Sequence, residues 1–304
     1  MNRVTQDLSI PMEVSHEEAE PGIVSDIFAL TKARLSLLVI ITTFVGFCTA
    51  SGEHLDWILL LHAVGGTTLA AAAAAVLNQC IEIKVDRLME RTRHRPLPSG
   101  RWKPGYALAL GIGLGVLGVA WLAVAVNSVS AILAAATILI YIAAYTPLKR
   151  RTSLCTIVGA VSGAIPPMIG WTAVHPSFGL GAWVLFGILF TWQMPHFLAI
   201  AWMYRDEYAQ AGFVMLRRDD LSGCATAMQS LLYTFALIVC TLVPYYAGMN
   251  NNIYLGGALA LDGVMLLFAV QFLLERERLS ARRLFFASIL FLPLILGLMI
   301  FTKV

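Results

Sequence analysis

Apolar stretches of bilayer length, parted by short polar loops, recur from one end of this chain to the other. A hydrocarbon core is spanned by roughly 20 apolar residues. About nine such stretches can be marked, at 33–51, 57–80, 105–126, 129–146, 155–174, 179–203, 225–247, 253–273 and 284–301. The pattern predicts an all-α membrane protein of about nine transmembrane helices, with 26–304 as one polytopic domain and no large soluble insert. Residues 1–25, acidic and polar through Asp7, Glu13, Glu17, Glu18 and Glu20, read as a flexible cytoplasmic tail without the features of a secretory signal or a transit peptide. The loops after the second and sixth stretches are the longest and most polar, and their spacing hints at two four-helix halves plus a ninth helix.

The distribution of charge sets the orientation. Of 21 Lys and Arg, all but Lys303 fall before or at the very start of the first stretch or after the even-numbered ones. By the positive-inside rule that side is cytoplasmic, with the N-terminus inside and the C-terminus outside, as expected of a protein of the bacterial plasma membrane. Composition agrees: 13% of residues are charged and 59% hydrophobic, whereas soluble domains carry about 25% charged residues. The five cysteines have no CxxC spacing, which argues against a disulfide framework or a zinc site. No P-loop, dinucleotide fingerprint, nucleophile elbow or HExxH motif is present, and the basic loops are too short for a nucleic-acid-reading module.

Within the apolar pattern, one line of polar residues stands out. Asn78, Glu82, Asp86 and Glu90 follow one another at intervals of four near the end of the second helix. Four residues turn a helix by roughly 400°, so the first three share a face within about 80°. Like charges so placed repel, and the stripe therefore calls for cations. Mg²⁺ prefers oxygen ligands and binds through one or two carboxylates plus substrate phosphates. Glu82 and Asp86, about 6 Å apart along the axis, suit metal bound to a diphosphate, with Asn78 as a neutral oxygen donor and Glu90 further round, behind them. Arg93 and Arg95 follow at once, and Lys149 and Arg151 emerge at the same membrane face, so these four are the candidate anion-binding residues. Arg101, Lys103, Arg282 and Arg283 need no role beyond setting topology. In the sixth helix, Gln193 and His196 are spaced to share a face, and polar residues inside a membrane usually face the bundle interior. Asp206 and Glu207, just beyond, form a second acidic region. Pro166–Pro167 and Pro195 suggest two kinked neighbouring helices beside a pocket.

These motifs resemble the UbiA-type intramembrane prenyltransferase superfamily and, more closely, its protohaem IX farnesyltransferases, the haem O synthases. Three strings carry the likeness: Asn78–Gly100 (NQCIEIKVDRLMERTRHRPLPSG), Tyr145–Trp171 (YTPLKRRTSLCTIVGAVSGAIPPMIGW) and Trp192–Leu216 (WQMPHFLAIAWMYRDEYAQAGFVML). The resemblance implies helices around a central cavity under a cytoplasmic cap, with diphosphate held there on Mg²⁺. It implies transfer of farnesyl from farnesyl diphosphate to a vinyl group of haem B with addition of water, and a product used by terminal oxidases directly or through a haem A synthase. By position, Asn78, Glu82 and Asp86 match the metal–diphosphate motif, Arg93, Arg95, Lys149 and Arg151 the phosphate-binding bases, Asp206 and Glu207 the second acidic region, and His196 the haem side. Two positions depart from the pattern of many relatives: Glu82 stands where Asp is common, and Lys84 where a further Asp is common. Two other readings stay open, a prenyltransferase acting on a quinone precursor or chlorophyllide, and a non-catalytic haem transporter. Polar residues gathered at one face, rather than strung across the bilayer, argue against the transporter.

Overall fold

The computed structural model describes residues 22–304 apart from Glu53, and most of the expected N-terminal tail lies outside the described residues. The first helix already begins at Ile23. Helices α1 (Ile23–Leu30), α2 (Ala33–Ala50), α3 (Trp57–Asp86) and α4 (Pro104–Ala125) are followed by α5 (Ser128–Leu139), which passes through a π-helical turn (Ile140–Tyr145) into α6 (Thr146–Leu148). Then come α7 (Cys155–Ala164), α8 (Pro166–Val174), α9 (Leu180–Met203), α10 (Arg205–Gln210), α11 (Cys224–Tyr246), α12 (Asn252–Glu275) and α13 (Arg278–Phe301). Among the described residues eight spans are long and apolar enough to cross a membrane, with α5–α6 and α7–α8 each counted as one; α2, whose apolar part is Ser36–Ala50, is a shorter apolar helix.

Local chemistry sets the helix ends. Asp56 accepts from the Leu59 amide, Asn127 from Ser130, and Asn251 from Ile253 and Tyr254, so three helices start on a side-chain oxygen that answers an orphan N–H. Glu277 and Ser280 form a capping box at α13, and Pro104 opens α4. Pro166 divides α7 from α8 as expected, whereas α9 runs unbroken through Pro195. The second apolar stretch ends near residue 80, yet α3 continues as helix to Asp86. At 1.5 Å per residue its 30 residues outrun a hydrocarbon core of about 30 Å, so its last turns stand beyond the lipid tails.

Packing is that of a membrane bundle. Leu61, Val116, Val124, Leu267 and Leu294 are exposed on the outer faces, where lipid replaces water. Inside, α9, α11, α12 and α13 share one core built on Leu185, Ile188, Trp192, Leu237, Tyr254, Phe272 and Phe291. Helices α3 and α4 meet through small residues: a Cβ on Gly118 would come within 2.8 Å of the Ala70 amide nitrogen, so only glycine permits that approach. Lys303, the exception to the charge pattern, donates to the carbonyls of Cys48 and Ser51 at the end of α2. Between the two groups of helices lies a cavity of about 180 Å³, walled by α2, α3, α5, α7, α8 and α9.

Candidate active site

The polar line on α3 becomes a ladder of three rungs, each meeting a cation from a different segment. Asn78 Oδ1 accepts from Lys32 Nζ at 3.0 Å, while its Nδ2 donates to Thr146 Oγ1 at 3.1 Å. Glu82 accepts from Lys149 Nζ at 2.9 and 3.2 Å. Asp86 accepts from Arg95 NH1 at 2.8 Å. Asn78, Glu82 and Asp86 are all buried. The stripe of acids is thus balanced rung by rung, which is how carboxylates can be withdrawn from water at all.

Each cation is positioned by its local backbone. Residues 87–103 fold back over the end of α3: Thr92 Oγ1 donates to the Asp86 carbonyl and Arg87 Nε to the Pro98 carbonyl, and this return brings Arg95 to Asp86. Arg101, read as a topology charge, pairs with Asp26 at 2.8 Å and ties α1 to the same loop. Lys149 follows α6, where the Tyr145 ring lies 4.5 Å from its Nζ and its carbonyl accepts from the Val214 amide at 2.6 Å. Burial works against its charge, but the Tyr145 phenol and the Glu82 carboxylate hold the ammonium above the ordinary lysine range. Lys32 sits between α1 and α2 with φ +48°, a left-handed conformation unusual for a side-chain-bearing residue. Gln79 Nε2 donates to the Leu30 and Ala29 carbonyls and pins the end of α1 just before it. Burial pushes the Lys32 ammonium below its ordinary value, because its direct partner is a neutral amide and not a carboxylate.

Not every expected residue joins the ladder. Arg93 turns to Glu90 at 2.5 Å, both on the surface, and Glu90 therefore does not back Glu82 and Asp86. Arg151 is exposed, and Lys84 points away on the exposed side of α3. Asp206, its side chain 86% exposed, faces outward beside Arg205. Glu207 behaves differently: its Oε2 is buried without a hydrogen-bond partner among the described residues. Tyr208, Ala211 and Phe213 pack with Val85 and Met89 and fasten α10 and the turn after it to the region where α3 ends.

Gln193 and His196 diverge instead of sharing a face. Gln193 lines the cavity. His196 Nδ1 bonds Ser288 Oγ at 2.7 Å, and its ring stacks between Trp192 and Phe285. The reason is the 60° offset of residues three apart, on a helix wedged between α7 and α13. Phe197, beside His196, does face the cavity, as does Tyr141.

Lys32 is the residue that sequence reasoning missed, since a lysine before a first span looks like any topology charge. Tyr141 and Tyr145 carried a signal, two tyrosines four apart near the basic end of a helix, and the π-helical turn they occupy is a feature often found at functional sites.

A divalent metal is compatible with these donors. No three His, Cys, Asp or Glu side chains converge into a cage among the described residues. Two carboxylates one turn apart and an amide oxygen are nonetheless hard donors of the kind Mg²⁺ uses when phosphates and water complete its shell.

Residues 39–293 match the UbiA prenyltransferase family. The protoheme IX farnesyltransferase of Solibacter usitatus is 43% identical over 287 residues, covering 91% of this chain and 98% of the relative. Among solved structures, one of a digeranylgeranylglyceryl phosphate synthase superposes with a TM-score of 0.78 at 17% identity, covering 92% of this chain and 98% of that one. A UbiA homologue from Archaeoglobus fulgidus, bound to DMAPP and Mg²⁺, gives 0.65 at 12% identity, covering 90% and 99%. At those identities the two solved structures speak to the fold.

Proposed function

The chain belongs to the UbiA prenyltransferase family and, within it, to the protohaem IX farnesyltransferases, and from that premise we propose that it moves the farnesyl group of farnesyl diphosphate onto a vinyl group of haem B, with addition of water, releasing haem O and diphosphate. The observation that carries the site is the ladder: Asn78, Glu82 and Asp86 matched by Lys32, Lys149 and Arg95. Acids and bases interleaved at one end of an apolar cavity suit a metal-bound diphosphate, since the acids take the metal and the bases take the phosphate oxygens. Asn78, Glu82 and Asp86 would hold Mg²⁺, with Glu207 on α10 as a further acid and Asp206 turned outward. Bound there, Mg²⁺ would neutralise diphosphate charge and polarise the allylic C–O bond.

The chain's own residues supply the rest. Lys32, Lys149 and Arg95 donate to the phosphates as the leaving group gains charge, and Arg93 and Arg151 act further out, on approach. The alanine-rich wall of α3 keeps bulk water from the allylic cation. The vinyl group is itself the nucleophile, which fits a site without a nucleophilic side chain. Phe197 and Gln193 present α9 to the haem, and His196 serves that side from behind the wall by fixing α9 against α13 through Ser288. The ladder end is the cytoplasmic end, in a bacterial inner membrane with the N-terminus inside and the C-terminus outside. The product supplies terminal oxidases directly or through haem A, and a haem A synthase or an oxidase-assembly protein is the natural partner.

The test is an assay of purified protein with farnesyl diphosphate, haem B and Mg²⁺, read by mass spectrometry. Haem O is expected from the unaltered chain and none from Glu82→Ala with Asp86→Ala. Undiminished haem O from the double variant would sink the site, and a prenylated quinone precursor in place of haem O would sink the substrate.

A further inference from the structure

Most polar groups on the cavity wall have already used their hydrogens. Ser36, Thr67, Thr137 and Ser162 each donate a hydroxyl to a nearby backbone carbonyl, at 3.0, 2.7, 2.9 and 2.9 Å, and Lys32 serves Asn78. Gln193 is held in the opposite sense. Its Nε2 donates to the Leu189 carbonyl at 3.0 Å and to the Ala160 carbonyl at 3.4 Å. Two carbonyl acceptors can be met only by the nitrogen end of the amide, so the orientation of the group is fixed. Oε1 is then the end left over, and it accepts no hydrogen bond among the described residues. The residue is 5% exposed and lines the cavity. The chain also keeps room for this oxygen: a Cβ on Gly163 would lie 2.1 Å from it. A carbonyl oxygen without a donor on a cavity wall calls for one, and a polar cavity site is where a single water is held.

We propose that Gln193 Oε1 holds the water that ends the reaction and so decides that the product is an alcohol and not an alkene. This rests on the function proposed above. The vinyl π pair forms the new C–C bond to C1 of the farnesyl chain, and the C1–O bond breaks with its electrons leaving on diphosphate. Positive charge then sits on the former vinyl carbon next to the porphyrin ring. The water on Gln193 donates one hydrogen to Oε1 and turns a lone pair toward that carbon. The C–O bond forms, and the surplus proton passes to the diphosphate released in the same turnover. Without a placed water, the cation instead loses a proton from the neighbouring carbon to diphosphate, leaving an alkene lighter by one water. Gln193 is thus a residue that chooses the product, while the bases at the ladder govern the rate of ionisation.

The experiment compares purified wild type, Gln193→Leu, Gly163→Ala and Thr137→Val with farnesyl diphosphate and haem B, and reads the ratio of hydrated to anhydro farnesyl haem by mass. Gln193→Leu should lower the ratio roughly tenfold, the effect of one lost hydrogen bond. Gly163→Ala should lower it in the same direction, because the new methyl takes the place of Oε1 while the amide remains in the chain. Thr137→Val, which removes a cavity hydroxyl already committed to the backbone, should leave it unchanged. If Gln193→Leu does not fold, Gly163→Ala decides alone. A wild-type ratio in either variant that folds overturns the proposal. A wild type that makes no farnesylated haem at all overturns the function reading instead, and the two failures are told apart by that first lane.

Discussion

Lys149 Nζ lies 2.9 Å from one Glu82 oxygen and 3.2 Å from the other, joining the end of α6 to α3 across 67 residues of chain. Neither side chain reaches bulk water to any extent, at 11% and 8% exposed. An ion pair buried to this degree adds little net stability while both partners are present, but removing one strands the other. The pair therefore leaves the acid and the base ready for exchange: each is satisfied without ligand, and each can turn to an incoming partner of opposite charge.

That arrangement separates stability from activity. Lys149→Met should cost about 3–5 kcal/mol, the range for breaking a buried pair from one side, and should abolish farnesyl transfer. Adding Glu82→Gln should restore most of the stability and none of the activity. Thermal unfolding in detergent beside the haem assay checks both. A double variant as unstable as Lys149→Met would mean that the two residues are not energetically coupled.

Lys32 gives a sharper test of the diphosphate site, because it was not legible as part of it. Lys32→Ala should raise the KM for farnesyl diphosphate at least roughly tenfold, equivalent to the loss of one charge-assisted hydrogen bond, while the KM for haem stays within about threefold. Arg93→Ala and Arg151→Ala should have smaller effects, since neither reaches the ladder. Equal KM shifts for all three would assign Lys32 to the general positive field and not to the site.

What could be read from the chain follows from what was periodic. The spacing of Asn78, Glu82 and Asp86 fixed one face of one helix, and the long apolar stretches gave an all-α bundle. The arrival of Lys32 beside Asn78 depends on a left-handed residue between α1 and α2, held by Gln79 from a distant helix, and no local pattern encodes that. The divergence of Gln193 from His196 has a similar origin. Their spacing permitted a shared face, but α9 is clasped by α7 on one side and α13 on the other, and a 60° difference was enough to send one side chain to the cavity and the other to Ser288. Asp206 and Glu207 are adjacent in sequence, and only the docking of α10 decides which of them turns inward.

The two acids on α10 should accordingly behave unequally. Glu207→Gln should raise the Mg²⁺ concentration needed for half-maximal activity several-fold, because it replaces a buried carboxyl oxygen that has no partner among the described residues. Asp206→Asn, at a side chain 86% exposed, should leave that concentration within about twofold. Magnesium titrations of the two variants give the comparison, and a larger effect at Asp206 would reverse the assignment.

His196 offers a direct choice between contact with haem and support of the helix that faces it. Its ring lies between Trp192 and Phe285 at centroid distances of 5.0 and 4.9 Å, and Ser288 Oγ, which itself donates to the Phe285 carbonyl, receives the Nδ1 hydrogen. Phenylalanine at this position would keep the aromatic stack and lose the hydrogen bond. His196→Phe should then cost about 1 kcal/mol of stability, as for one intramolecular hydrogen bond, with the KM for haem changed by less than about threefold. Ser288→Ala should reproduce the loss of stability, since it removes the same bond from the other side, and combining the two should add little because they share one interaction. A haem KM raised tenfold or more in His196→Phe, with Ser288→Ala near wild type, would place the imidazole on the substrate rather than behind the wall.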